Sequence, residues 1–523
     1  MNYGKLKEKK VLFLVILTVS IFLRIINITS EQIWADEAIS IHIAKLSIND
    51  FWKAIIRDIH PPLYYVILKG WIFIFGDSIL SFRMLSVVFS ILALPILFLI
   101  GKEIKNESLG FIIIFFYSIS PFAIYYANEI RSYTLIHLLF TISIYFSIRI
   151  LKDPENIRNY IMIGIVGTLL IYTHYMGVVY MMSLYVSIYI FNRKKKFILK
   201  YLILSSIIMI GFYIPWIPFA LNDLLGGAPG YAGGLLNLVN LSYYAFNYFL
   251  APVPSDINNP YVLNLILLTF LINLPLIIIS LISISGILFF YKNEKIKETK
   301  LIFYFLLTSF TFLFGISITL GFFLENSFTA KNLIGGLSLT IPLQSVGLYY
   351  LIFNSNSIWF NKFQKLNKIL NPKFLKKIFY QLFIALIITH LIIYPFLRAY
   401  YLQKPDWEGC VKKLEEKVKK NDIIITAYPG GRAPYPMEYY SELYGFDLDK
   451  YFYELNYNDD DIEEFFDEIS DENITRIWII SFWERTRDPS GETEDLLIDE
   501  YDLEEENDYS FRLDIELTLY KVK

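Results

Sequence analysis

The sequence predicts an α-helical polytopic membrane protein with a soluble α/β domain at its C-terminal end. Three observations predict it. The 523 residues are 55% hydrophobic and 18% aromatic, with a mean hydropathy of +0.45. That is the composition of a lipid-embedded chain rich in interfacial Tyr and Phe. Apolar runs of spanning length recur along residues 11–400. The charge is split: residues 401–523 hold 14 Lys and Arg against 33 Asp and Glu, a net −19, which leaves +16 on the rest and −3 overall. A basic membrane part is therefore joined to an acidic soluble part, giving domains at 1–400 and 401–523.

The start, Met1 to Lys10, is basic and leads into an apolar run at 11–27. The run is longer than most signal-peptide cores and no small-residue cleavage site follows it, so it reads as a retained first helix. Further runs lie at 81–100, 109–127, 132–151, 160–173, 176–191, 198–219, 262–290, 301–323, 333–353 and 378–400. Eleven spans result. The stretch 62–75 is Leu-rich and aromatic but too short to cross, and Pro61-Pro62 and Gly76-Asp77 flank it. It reads as a surface or re-entrant helix.

Charge tests this count. With the N-terminus inside, the inner loops collect Lys102 and Lys105; Arg149, Lys152 and Arg158; Arg193 to Lys196; Lys292 to Lys300; and the Lys-rich stretch 362–377. The loop 220–261 has no Lys or Arg and falls outside. Counting 62–75 as a span inverts every later loop, against the positive-inside rule. The expected location is the cell membrane, with the N-terminus cytoplasmic and the acidic domain extracytoplasmic. Arg83, at the start of the second run, is placed on the inner side and set aside.

The first outer loop, 28–80, is long. Residues 37–58 repeat apolar positions at helical spacing and read as helices lying in the interface, with Lys45, Lys53, Arg57 and Asp58 toward water. In the acidic part, Trp407 to Lys420 reads as an amphipathic helix, 421–426 and 476–481 as buried strands, 459–472 as a helix and 511–522 as a final strand. That alternation predicts a small α/β domain. No Gly-rich phosphate loop and no internal repeat is present. The one cysteine, Cys410, excludes an intrachain disulfide and reads as a thiol without a role.

Ionisable groups at a membrane edge are costly and point to a site. Asp36 and Glu37, in Trp34-Ala35-Asp36-Glu37, open the first outer loop. Asp36 reads either as a helix N-cap or as a general base taking a proton from an acceptor hydroxyl. Glu37 would hold Asp36 or a metal ion, although hard cations need more oxygens than two adjacent carboxylates offer. His60-Pro61-Pro62-Leu63-Tyr64-Tyr65 closes the loop. The junction Tyr125 to Tyr133 brings Glu129, Arg131 and Tyr133 to the same side. There Arg131 is a candidate for bidentate phosphate binding or an interfacial partner of Glu129. His174 lies at the next outer turn and Lys331 before the tenth span; each reads as a phosphate contact or as a plain interface residue. His42, His137 and His390, in apolar surroundings, are treated as structural.

An acidic pair in the first outer loop, then HPPLYY, then a second polar outer junction resembles the GT-C glycosyltransferases that use polyprenyl-phosphate-linked sugars. The nearest likeness is to the protein O-mannosyltransferase and aminoarabinose-transferase group, in its prokaryotic membrane mannosyltransferase-like branch. The likeness covers about residues 10–400, with most specificity in 34–133. Lys404-Pro405-Asp406-Trp407-Glu408 also looks like that branch. The resemblance implies a GT-C fold and an inverting transfer from a polyprenyl-phosphate-sugar to a hydroxyl of a protein, lipid or glycan. Asp36 matches the family's catalytic base, His60 to Leu63 its HPPL segment, and Arg131 and Tyr133 its second-loop motif. Where related sequences carry Arg-Tyr before the late span, this chain has Lys331-Asn332. His60, Tyr64, Glu129, His174 and Lys331 complete the expected substrate and phosphate contacts. No cofactor is required; a divalent metal (Mg or Mn) at Asp36 and Glu37 is left open. Membrane lipids are expected partners and nucleic acid is not. Two rival classes remain: an oligosaccharyltransferase or polysaccharide ligase using a diphosphate-linked glycan, told apart by its leaving group, and a transporter, which predicts inverted repeats about the midplane.

Overall fold

The computed structural model describes residues 3–225, 294–323, 329–353, 404–426, 433–453, 476–482, 504–511 and 515–521, with scattered positions at 241–291, 381 and 474. Chain contacts divide it into two units. Unit 1 holds residues 1–28 and 48–402; unit 2 holds 29–47 and 403–523.

Unit 1 is helical throughout its described residues. Its elements are α1 (Tyr3–Ile25), α3 (Ile48–Arg57), α4 (Leu63–Phe75), α5 (Ile79–Ile104), α6 (Glu107–Ile119), α7 (Pro121–Tyr126), α8 (Tyr133–Lys152), α9 (Ile157–Thr173), α10 (Gly177–Asn192), α11 (Ile198–Tyr213), α12 (Ile217–Leu225), α13 (Lys297–Phe323) and α14 (Leu337–Phe353). Helix α2 (Ala35–Lys45) belongs to unit 2. Among the described residues, four helical stretches are long and apolar enough to cross a membrane: 79–104, 133–152, 198–222 and 297–323. Four shorter apolar helices, α4, α6, α9 and α10, accompany them. The runs expected at 262–290 and 378–400 are described only at scattered positions, and the Lys-rich stretch 362–377 lies outside the described residues.

Local sequence sets the breaks. The run expected at 109–127 is two helices, because Ser120 caps α7 through its side chain (Ala123 N–H to Oγ, 3.4 Å) and Pro121 opens it. Helix α4 has 13 residues, about 20 Å of rise against a hydrocarbon core of about 30 Å. Gly76, at φ +87°, ends it in the left-handed region that glycine tolerates. Trp71 Nε1 donates to the Ser81 carbonyl at 2.8 Å, folding α4 back on α5. Phe73, Ile74 and Phe75 stay exposed. Gly101 and Gly110 let α5 and α6 touch: a Cβ on Gly101 would lie 2.5 Å from Gly110 Cα.

Ion pairs gather at one end of this bundle. Lys9 meets Glu107 at 2.6 Å, Lys152 meets Glu103 and Glu298 at 2.8 Å each, and Lys105 meets Glu294 at 2.7 Å. These are the loops that sequence charge grouped together. Arg83 sits at the opposite end, fully buried, donating to the Ile28 carbonyl at 2.8 Å. Its inner placement is corrected: a residue opening α5 lies where the first long loop ends.

Unit 2 carries α2, α15 (Trp407–Lys417), α16 (Tyr435–Tyr444) and strands β1 (Asp422–Thr426), β2 (Arg476–Phe482), β3 (Glu504–Phe511) and β4 (Ile515–Lys521). The sheet order is β1-β2-β4-β3, with β1 and β2 parallel and β4 antiparallel to both β2 and β3. Ile423 to Ile425 and Ile477 to Ile480 form its core, and Arg476 clamps Asp422 at 2.6 Å. The helix expected at 459–472 lies outside the described residues. Cys410 is a buried free thiol on α15. Burial pushes its ionisation up.

Candidate active site

The sequence-selected residues fall into two groups, one in each unit. In unit 1 the turn after α3 supplies Asp58 and His60. Tyr65, in the first turn of α4, donates its hydroxyl to Asp58 Oδ2 at 2.7 Å, and the His60 backbone N–H donates to the same oxygen at 3.2 Å. Arg131, between α7 and α8, lies 3.0 Å from His60 Nε2 and 3.4 Å from the Tyr65 hydroxyl. The Nε2 side of the ring faces the guanidinium and the Nδ1 side faces Asp58. That Nδ1 stands 3.4 Å from Asp58 Oδ2. The result is a chain from carboxylate through imidazole to guanidinium. Arg131 itself is only 5% exposed.

Asp58 was expected to face water, and this is corrected. Its side chain is 16% exposed. The helix stops at Arg57, so Asp58 leaves the polar stripe and turns toward Tyr65. Burial pushes its carboxyl up, but the His60 hydrogen bond and charge, then Arg131 and Tyr65, outweigh burial and hold it below the usual range.

His174 caps the end of α9, its ring 5.6 Å from that of His60. Its Nδ1 accepts the Met176 N–H at 3.1 Å, which leaves Nε2 as the donor of the neutral ring. Burial, then the charges of His60, Arg131 and Lys331, hold it well below the ordinary imidazole value. Lys331 opens the 3-10 turn Lys331–Gly336, which Tyr180 pins by donating to the Asn332 carbonyl at 2.7 Å. Its Nζ sits 5.9 Å from the Tyr133 ring centre. Glu129 is buried, and its carbonyl accepts from Ser86 at 2.6 Å. Tyr64 is buried beside Tyr65. Unit 1 thus joins His60 and Arg131 to a residue, Asp58, that sequence reading missed, with His174 against His60 and Lys331 against Tyr133. The signal lay in DIHPPLYY: an acid two residues before an invariably constrained His-Pro-Pro turn.

In unit 2, Asp36 and Glu37 occupy the first turn of α2 and are 3% and 0% exposed. The N-cap is Trp34, so Asp36 is inside the helix and its N-cap reading is corrected. A carboxylate there is favoured by the helix dipole. Glu37 Oε2 meets Lys404 Nζ at 2.6 Å, and Glu31 Oε2 lies 4.0 Å from the same nitrogen. Among the described residues no group of three or more His, Cys, Asp or Glu is arranged to hold a metal. The two carboxylates converge on an ammonium rather than offering the oxygen shell a divalent cation needs. That donor set does not fit Mg or Mn. His42, expected in apolar surroundings, is partly exposed in this unit, its ring tilted on Tyr435 and 3.7 Å from Glu438, and that expectation is corrected; His137 is buried in the other unit and bonds Ser338 at 3.0 Å; His390 lies outside the described residues.

Residues 59–219 match the family model of dolichyl-phosphate-mannose-protein mannosyltransferase. Among solved structures, the chain is similar to ArnT from Cupriavidus metallidurans bound to undecaprenyl phosphate, at TM-score 0.54 and 10% identity, covering 100% of this chain and 99% of that one. It is also similar to the archaeal oligosaccharyltransferase AglB from Archaeoglobus fulgidus in complex with an inhibitory peptide and a dolichol-phosphate, at TM-score 0.51 and 11% identity, covering 92% and 70%. No curated protein matches in sequence. His60, Arg131 and His174 all fall inside the family-matched segment, and the likeness of fold to these membrane transferases runs the length of the chain.

Proposed function

We propose that this protein transfers a mannose-like hexose from a polyprenyl-phosphate donor to an acceptor hydroxyl at the outer face of the membrane. The observation that carries the reading is the Arg131–His60–Asp58 chain, whose Arg131 and His60 lie inside the family-matched segment and whose Asp58 directly precedes it. The donor phosphodiester has one negative charge. When the bond from C1 to phosphate oxygen breaks, that oxygen keeps the electron pair and the polyprenyl monophosphate gains a second charge. Fixed cations therefore bind the leaving group more tightly than the donor, which is what lowers a barrier. Arg131 and Lys331 supply the cations, and neutral His174 supplies an N–H. Tyr64 and Tyr133 offer aromatic faces and Glu129 a carboxylate for the sugar. Asp36 takes the acceptor proton as the acceptor oxygen bonds C1 from the opposite face, inverting it.

The N-terminus is cytoplasmic on this reading and unit 2 extracytoplasmic, supported by the collection of basic loops at one end of the bundle. Single cysteines at Gly230 and Lys450 should label from outside, and the buried Cys410 gives a silent background.

The test is the full-length protein, purified, with radiolabelled polyprenyl-phosphate-mannose and peptide, lipid and glycan acceptors. The expected product is a glycosylated hydroxyl with free polyprenyl monophosphate. Turnover only with a diphosphate-linked glycan would move the chain to the oligosaccharyltransferase class. Movement of solute without bond cleavage would move it to the transporters.

A further inference from the structure

We infer that Lys404 is a positioning residue that supplies the acidic pair with an internal cation, in the place a divalent metal would take. The inference rests on the proposed base role of Asp36. Its ammonium lies 2.6 Å from Glu37 Oε2 and 4.0 Å from Glu31 Oε2, with the Trp34 ring centre at 5.8 Å. Glu31, Glu37 and Lys404 are 3%, 0% and 6% exposed. Charges that buried are not held by accident: removing one partner of such a pair is strongly destabilising.

Sequence fixes Lys404 in place. Pro405 follows it, and Asp406 caps α15 by accepting from the Gly409 N–H at 2.9 Å. Trp407 is buried, and Glu408 accepts from Gln32 Nε2 at 3.0 Å. The Ile33 N–H donates to the Tyr440 hydroxyl at 2.9 Å. Asp406 thus starts the helix that follows Lys404, while Glu408 and Tyr440 hold Gln32 and Ile33 of the segment that leads into the acidic pair.

The consequence is electrostatic. Asp36 and Glu37 are neighbours in one helical turn, and an uncompensated Glu37 would disfavour a second negative charge beside it. Lys404 neutralises Glu37 and leaves Asp36 its charge. Carboxylate oxygens are also what a hard divalent cation would require. Here the cation is a side chain.

Two arms test this on the full-length protein. In the first, Mn(II) is titrated and followed by electron paramagnetic resonance. No Mn(II) site that depends on Glu37 is expected. One Mn(II) per chain, lost in Glu37→Gln, would overturn the inference. This arm needs no turnover, so it stands or falls apart from the proposed reaction, and it uses no variant whose folding depends on Lys404. In the second, transfer from polyprenyl-phosphate-mannose is measured. Lys404→Gln should lower kcat by roughly tenfold or more with the donor KM within about threefold, and Lys404→Arg should restore most of it. The double variant Glu37→Gln, Lys404→Gln should lose less than the product of the single losses. Independent, multiplying losses, or a loss confined to KM, would overturn the positioning role.

Discussion

Tyr65 donates its hydroxyl to Asp58 Oδ2 at 2.7 Å, and that bond ties the turn after α3 to the first turn of α4 across Pro61-Pro62. His60 is held between the two, with Arg131 against its other nitrogen. The guanidinium therefore owes its aim to a carboxylate it does not touch within hydrogen-bond distance.

Asp58→Ala should weaken donor binding through Arg131. A hydrogen bond to a charged group contributes about 1.5–3 kcal/mol, so the donor KM or Kd should rise roughly tenfold to hundredfold. Tyr65→Phe, which leaves the carboxylate and His60 in place, should cost less. Equal donor affinity in wild type and Asp58→Ala, measured with radiolabelled polyprenyl phosphate, would contradict the relay.

Acid should destabilise unit 1 in two stages. His174 in the folded chain is held below the ordinary imidazole value, so the unfolded chain binds the proton more readily. Its contribution is complete above about pH 6.5 and declines as pH falls toward the lower folded value. Asp58 is also depressed, so its contribution is present above the ordinary carboxylate range and lost as pH falls through the folded value. Thermal unfolding of the detergent-solubilised protein should drop from pH 7 to 5 in wild type and stay flatter in His174→Gln. Asp58→Asn should lower the transition at neutral pH, where the ionised carboxylate contributes, and flatten the limb below about pH 4.

Helix packing gives a third expectation. A Cβ on Gly110 would lie 2.7 Å from the Phe98 carbonyl, whereas at Gly211 nothing lies within 4 Å. Gly110→Ala should lower the apparent Tm, with overpacking costs of about 1–3 kcal/mol. Gly211→Ala should leave it unchanged or raise it, because alanine favours helix by up to about 1 kcal/mol. The reverse order would mean that the α5–α6 contact is looser than these distances.

The short helix at 62–75 was legible from local pattern, its apolar length and the Gly76 that ends it, whereas the break at Ser120-Pro121 inside the run 109–127 was not read. The ion-paired end was legible through charge grouping. What the sequence hid is what tertiary contact decides. Lys404 and Glu37 are 367 residues apart, and no periodicity links them. Asp58 continued the polar stripe of α3 by spacing alone, and only the helix end at Arg57 turns it inward. Strand β3 is acid-rich and lies at the sheet edge, paired on one side by β4, so its sequence lacks the apolar run of a central strand. The final strand, expected at 511–522, runs from Ile515 to Lys521, because Phe511 closes the separate strand β3. Asp36 read equally as cap or base, and the helix start at Ala35 decides only that it is not the cap.

The base role of Asp36 is the centre of the account, and one comparison tests it most directly. Asp36→Asn keeps the shape of the side chain, loses no N-cap bond, and cannot accept the proton. In transfer from polyprenyl-phosphate-mannose, followed by release of polyprenyl monophosphate, it should lower turnover by roughly a hundredfold or more, on the scale of general-base contributions, while folding and binding of polyprenyl phosphate persist. An Asp36→Asn protein that folds, binds the lipid and turns over at the wild-type rate would contradict the account.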